Sequence, residues 1–149
     1  MTTNIIASIT GWFNKARPAP EPKHVRVQMG VHFEEVAEMI EAFRACSPHG
    51  EVVRIDALRA MRILATQLKT SPSAIMIENR KEFLDALCDQ IVTATGSGAF
   101  LGMDVEGALE EVDRSNWSKF DHNGNPIFDE NGKIAKSPDY FKPELEPFV

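Results

Sequence analysis

Between Met29 and Phe43 the apolar residues Met29, Phe33, Val36, Ile40 and Phe43 recur in alternating steps of four and three. That spacing sets one stripe of side chains along an α-helix, and a helix so striped is stable only when the stripe is covered by other elements. The same period predicts four more helices. Ile5, Ile6, Ile9, Trp12 and Phe13 give a first one over Asn4 to Ala16, stopped by Pro18, Pro20 and Pro22. The second, carrying the opening stripe, is expected from about His24 to Cys46. Ser47, Pro48, His49 and Gly50 read as a turn, and Val52 to Leu68 as a third helix that stops before Ser71 and Pro72. Asn79 is an N-cap for a fourth running through Leu84, Leu87, Cys88, Ile91 and Ala94 towards Gly102, and Asp104 caps a fifth that ends near Trp117.

Beyond residue 120 the periodicity stops. Residues 121–149 are rich in Asn, Gly, Pro and Asp, and the pairs Asn123-Gly124 and Asn131-Gly132 mark tight turns, with a small hairpin expected through Pro126, Ile127 and Phe128. The expected architecture is an all-α bundle of about five helices over 1–120 with an irregular C-terminal arm over 121–149, packed on the same domain or on a neighbouring subunit. A chain of 149 residues accommodates one core of this kind.

Charge and composition narrow the function classes. The net charge of −6 disfavours a nucleic acid polymer as partner. The apolar stretches are interrupted well short of the roughly 20 residues of a membrane helix, and the opening segment lacks a basic leader, so the expected compartment is the cytoplasm. Cys46 and Cys88 sit in helix-patterned segments and are expected to be buried, reduced thiols; without a neighbouring His pair they make no zinc site. Asp121-x-Asn123-x-Asn125 resembles the start of a calcium loop, but Pro126 stands where that loop needs Gly and Gly132 where it needs Glu. P-loop and serine-hydrolase motifs are absent as well.

What remains is acidic. Glu34, Glu35, Glu38 and Glu41 fall on the second helix away from Phe33, Ile40 and Phe43, and Val31, Ala42 and Ala45 project among them, so this side is suited to facing another helix. On the fourth helix Glu82, Asp85 and Asp89 lie within roughly 60° of one another at about 100° per residue, beside Ala86 and Gly96. Carboxylates gathered from two helices repel unless a cation joins them, and Mg²⁺ is the hard, oxygen-preferring ion that commonly bridges carboxylates to phosphates. The competing interpretation is acids that merely solvate a helix face.

Glu34-Glu35-Val36-Ala37-Glu38 and Glu82-Phe83-Leu84-Asp85, followed by Arg114-Ser115-Asn116-Trp117-Ser118-Lys119 before a Gly-rich arm, resemble the MazG-like all-α nucleoside triphosphate pyrophosphohydrolases, a group that includes dimeric dUTPases and phosphoribosyl-ATP pyrophosphohydrolases. The second motif has two registers here: Glu82-x-x-Asp85, or one ending at Asp89, where Ala86 replaces the acid three residues earlier. The resemblance implies hydrolysis of a nucleoside triphosphate to monophosphate and pyrophosphate in a homodimer or homotetramer. It implies Mg²⁺, with Mn²⁺ as its substitute, held by Glu35, Glu38, Glu82, Asp85 and Asp89, and Glu34 or a neighbouring carboxylate as the base for the attacking water. Arg114, Asn116, Lys119 and Lys133 are the expected contacts to phosphate, sugar or base, with Trp12 and Phe13 beside the nucleobase. The rivals are a phosphoribosyl-ATP pyrophosphohydrolase and a non-catalytic helical protein whose acids bind a basic partner.

Overall fold

A computed structural model describes residues 4–130 and 132–149. Asn131, from the second Asn-Gly pair, lies outside the described residues. Among them the chain forms five α-helices, α1 (Ile5–Ala16), α2 (Pro22–Glu41), α3 (Pro48–Thr70), α4 (Arg80–Phe100) and α5 (Val105–Trp117), and a single 3₁₀ turn at Glu146–Phe148, with no strand. The fold is all-α. None of these helices is long and apolar enough to cross a membrane. The chain divides into two compact units, Pro20–Ile77 and the combination of Met1–Ala19 with Glu78–Val149.

The expected caps are in place. Asn4 Oδ1 accepts the Ala7 N–H, Asn79 Oδ1 those of Lys81 and Glu82, and Asp104 Oδ1 that of Gly107, each satisfying a donor that a helix start leaves open. Two boundaries differ from expectation. Helix α3 begins at Pro48, because Ser47 caps it by accepting the Gly50 N–H and proline at the first helical position is pre-shaped for the turn. Helix α2 ends at Glu41, well before Cys46, and the reason is a clamp built from α3. Arg54 Nη1 donates to the Ile40 carbonyl at 3.0 Å, while Glu51 accepts from Arg54 at 2.6 and 2.9 Å and from the Ala45 N–H at 3.0 Å. The Ile40 carbonyl and the Ala45 amide are thereby satisfied outside the helix, and Phe43, left in that connection, is 50% exposed.

Within the Pro20–Ile77 unit, α2 and α3 lie against one another along a face the apolar stripe did not predict. The side of α2 turned to α3 carries Arg26, Gly30, Glu34, Ala37 and Glu41, of which Arg26, Gly30 and Ala37 are buried; Met29, Phe33, Val36 and Ile40 are only half-buried. Small residues decide this. A Cβ at Gly30 would stand 2.7 Å from Lys69 Cγ and 2.9 Å from the Ala65 carbonyl oxygen, so the backbones meet where a side chain would hold them apart. Arg26 donates from its guanidinium to the Leu68 carbonyl near the end of α3.

In the other unit, Trp12, Ala16 and Phe120 form the buried core, with Trp117 and Ile134 packed against it. The arm is stitched to α5 by hydroxyls: Ser115 donates to the Phe141 carbonyl at 2.8 Å, Ser137 to the Ser118 carbonyl at 2.8 Å, and Ser118 accepts the Phe141 N–H at 3.2 Å. The Glu144 N–H and Arg114 both bind Glu111 and hold its carboxyl below the ordinary range. The repeated Asp-x-Asn-Gly segments make matching turns, with Asp121 Oδ1 accepting the Asn123 and Asn125 amides, Asp129 Oδ1 accepting the Lys133 amide, and Gly124 and Gly132 at φ of +76° and +77°. The expected hairpin is present in minimal form, an antiparallel bridge between Phe128 and Ile134. Cys46 and Cys88 are exposed, contrary to the buried thiols expected, since Cys46 falls beyond the end of α2 and no residue of α4 is buried.

Two outcomes follow from this packing. Gly30→Ala should destabilise the fold by about 1–3 kcal/mol in urea denaturation, because Ala65 backbone rather than a pliable side chain is in the way. The Glu51 carboxyl is lowered from 4.5 to about 2, first by the Arg54 hydrogen bonds and then by the Ala45 N–H. As pH falls the unfolded chain takes up this proton before the folded one does. The stability it contributes is therefore complete above pH 4.5 and is lost as pH falls towards 2. Glu51→Gln should flatten the stability profile in that window.

Candidate functional site

In the Pro20–Ile77 unit a half-open groove of about 620 Å³ lies between α2 and α3, within the range of roughly 300–1,000 Å³ that small-molecule sites occupy. Its floor is Ala37, Ala42 and Ala65, and its walls are Glu34, Glu38 and Glu41 on one side and Arg62, Thr66 and Lys69 on the other. The walls carry opposite charge in register. Lys69 Nζ lies 2.6 Å from Glu34 Oε1, and Arg62 Nη2 lies 2.6 Å from Glu41 Oε2. Glu34 and Glu41 are separated by seven residues, two helical turns, and so are Arg62 and Lys69, so two antiparallel helices bring both pairs together at once. Between the bridges stands Glu38, exposed and without a cationic partner among the described residues. The acid side of α2, left open between solvent and another helix by its spacing, lines a groove against α3, with cations that spacing in α2 alone did not reveal. The sevenfold match of Glu34/Glu41 to Arg62/Lys69 was the signal that would have found them. Glu35, next in the motif, is exposed.

Glu82, Asp85 and Asp89 of α4 are all exposed and follow one another at about one-turn intervals along that helix. Among the described residues no group of three or more His, Cys, Asp or Glu side chains is gathered closely enough to hold a metal ion. The donor chemistry nevertheless suits a hard cation. Every expected ligand is a carboxylate, and Glu38, Asp85 and Asp89 are exposed side chains that enter no salt bridge among the described residues.

The expected substrate contacts lie on α1, at the end of α5 and in the arm. Trp12 is buried at 8% exposure; Phe120 stacks on it at 5.8 Å, Phe13 meets its edge at 4.9 Å, and its Nε1 donates to the Asn116 carbonyl at 2.8 Å. It is a core side chain with its ring faces and polar atom engaged, whereas Phe13 is exposed. Lys119 Nζ donates to Asn116 Oδ1 at 2.7 Å and lies 5.9 Å from the Trp12 ring centre, so these two motif residues do meet. Arg114 spends its fork on Glu111, with both bonds at 2.8 Å, and lies over the Phe141 ring at 4.3 Å. Its role here is to fasten the arm. Lys133 is an exposed arm residue.

A polar chain that sequence spacing did not predict runs between α1 and α5. Trp117 Nε1 donates to Ser8 Oγ at 3.1 Å, and Ser8 Oγ donates to Asp113 Oδ2 at 2.6 Å. Asp113 is buried, and its Oδ1 has no hydrogen-bond partner. Ser8→Ala would remove the donor to Oδ2 as well and should lower stability by about 1–3 kcal/mol, read by urea denaturation through Trp12 and Trp117 fluorescence. No family model, curated protein or solved structure matches this chain.

Proposed function

We propose that this protein is a Mg²⁺-dependent nucleoside triphosphate pyrophosphohydrolase. The observation that carries the reading is the α2–α3 groove: Glu34 and Glu38 of the Glu34-Glu35-x-x-Glu38 motif line a small-molecule-sized cleft in which Glu38 enters no salt bridge among the described residues and stands between two glutamates that do. Such a carboxylate suits a divalent ion, and the ion in turn offsets the negative charge of a polyphosphate.

In this reading the carboxylates of each acidic motif, Glu35 and Glu38 in the first and Glu82, Asp85 and Asp89 in the second, would hold Mg²⁺. The ion, when bound, supplies Lewis-acid neutralisation of phosphate oxygens. The chain's own groups do the rest. Glu34 accepts the proton of the attacking water, which adds to phosphorus while the bond to the pyrophosphate leaving group breaks. Lys119, held by Asn116, offers a point charge to outer phosphate oxygens, and Phe13 offers an exposed ring for the base. A homodimer or homotetramer in the cytoplasm belongs to the same reading. Helix α4 supports it by carrying Leu84, Ile91 and Val92 on exposed positions with open space around Gly96 for a close neighbour.

The test is pyrophosphate release from a panel of NTPs, dNTPs and phosphoribosyl-ATP with and without Mg²⁺. Release should require the metal, and Glu38→Gln and Asp89→Asn should each lower kcat by about 100-fold or more with the fold intact. If the wild type releases nothing from any compound, or both variants match it, the acids serve a helical interaction protein instead.

A further inference from the structure

Thr66 differs from the other threonines set in helices. Thr10, Thr70, Thr93 and Thr95 each donate the side-chain hydroxyl to the carbonyl four residues back, the usual way a helix absorbs this group. The Thr66 hydroxyl enters no hydrogen bond among the described residues, and its side chain lines the α2–α3 groove. Its height there follows from the bridges. Glu38 stands four residues beyond Glu34 and Thr66 three before Lys69, so on antiparallel helices the two fall almost level, between the Glu34–Lys69 and Glu41–Arg62 pairs. Glu38 likewise enters no salt bridge or hydrogen bond among the described residues. The groove thus has three rungs. The outer two are closed by ion pairs, and the middle one is open, with a carboxylate on one wall and a hydroxyl on the other.

The open rung selects by charge. Glu34, Glu38 and Glu41 face only Arg62 and Lys69, which leaves one negative charge over, so an anion at this height is repelled by Glu38 and a cation is drawn in. Glu38 and the Thr66 oxygen can each accept an N–H from the same ammonium head. Beneath them the methyl groups of Ala37, Ala42 and Ala65 offer an apolar floor for a short alkyl stem.

We infer that the middle rung of the groove binds the primary alkylammonium group of a small amine, with Glu38 as its counter-ion and the Thr66 hydroxyl as its second acceptor. This goes beyond pyrophosphate release and needs neither metal nor nucleotide. Glu38 is also among the carboxylates that would hold Mg²⁺ in the proposed function, so amine and ion take that carboxylate in turn.

The experiment titrates the isotope-labelled full chain with n-butylammonium chloride at fixed ionic strength, in the presence of a chelator, and follows backbone amide shifts by NMR. Binding in the millimolar range should move the amides of Ala37, Glu38, Ala65 and Thr66, whereas butan-1-ol and sodium butyrate should leave them in place. Thr66→Val should weaken binding about three- to tenfold, the scale of one hydrogen bond, and Glu38→Gln about tenfold or more. Thr66→Ser keeps the hydroxyl and should stay within about twofold of the wild type, as should Glu110→Gln, which removes an exposed carboxylate of α5. Circular dichroism checks that each variant folds, and should Thr66→Val fail to fold, Glu38→Gln set against Glu110→Gln decides. Groove amides that do not move, equal binding of butan-1-ol, an equal loss in Glu110→Gln, or no loss in folded Glu38→Gln or Thr66→Val each overturns this inference and leaves the proposed function standing. Amine binding without any pyrophosphate release does the reverse.

Discussion

The close approach of α2 and α3 at Gly30, Ala37 and Ala65 is the constraint on which the rest of the Pro20–Ile77 unit depends. Where two backbones come this near, large apolar side chains are squeezed from the contact and only atoms that reach across from its edges remain. Those atoms are charged. Arg26 reaches the Leu68 carbonyl, Lys69 reaches Glu34, Arg62 reaches Glu41, and Arg54 closes the connection by reaching Ile40. Partly exposed ion pairs contribute little each to stability, about 0–1 kcal/mol. Their value here is register, because a slip of one turn would part Glu34 and Glu41 from their cations together.

The unit containing α1, α4 and α5 is organised by a different chemistry. Its core is small, and the arm that completes it has no regular backbone ladder to satisfy its own polar groups. Ser115, Ser118 and Ser137 provide the missing partners, and cations over rings add to them: Arg17 lies 3.8 Å from the Phe128 ring centre and Lys15 lies 5.2 Å from that of Phe120. This explains why Trp12 and Arg114, attractive as substrate contacts on a linear reading, are occupied. A tryptophan near a proline break and an arginine in a polar motif are the side chains an irregular segment needs for anchoring.

Helix existence and the starts of α1, α4 and α5 were legible because they are local. A cap acts within three residues, and Asn4, Asn79 and Asp104 do what their neighbours in sequence imply. The end of α2 was not legible, since Arg54 and Glu51, which terminate it, come from the next helix. The acidic motif was legible as glutamates and small residues on one face, but spacing left open whether that face met solvent or another helix. The identity of the cations opposite required knowing that α2 and α3 run antiparallel with two turns of one matched to two turns of the other.

The amino-acid sequence by itself determined the all-α character, the caps, the turns at Asp121 and Asp129 and the acids available for chemistry, because each depends on period or on contacts within a few residues. Only the tertiary structure decided which face of α2 is covered, which glutamate stands unpaired and which aromatic is core. The first two outcomes depend on how closely α2 and α3 can approach, a property set jointly by Gly30 and by Ala65 and Lys69 more than thirty residues away, and the third on the packing of Trp12 against Phe120, over a hundred residues further along.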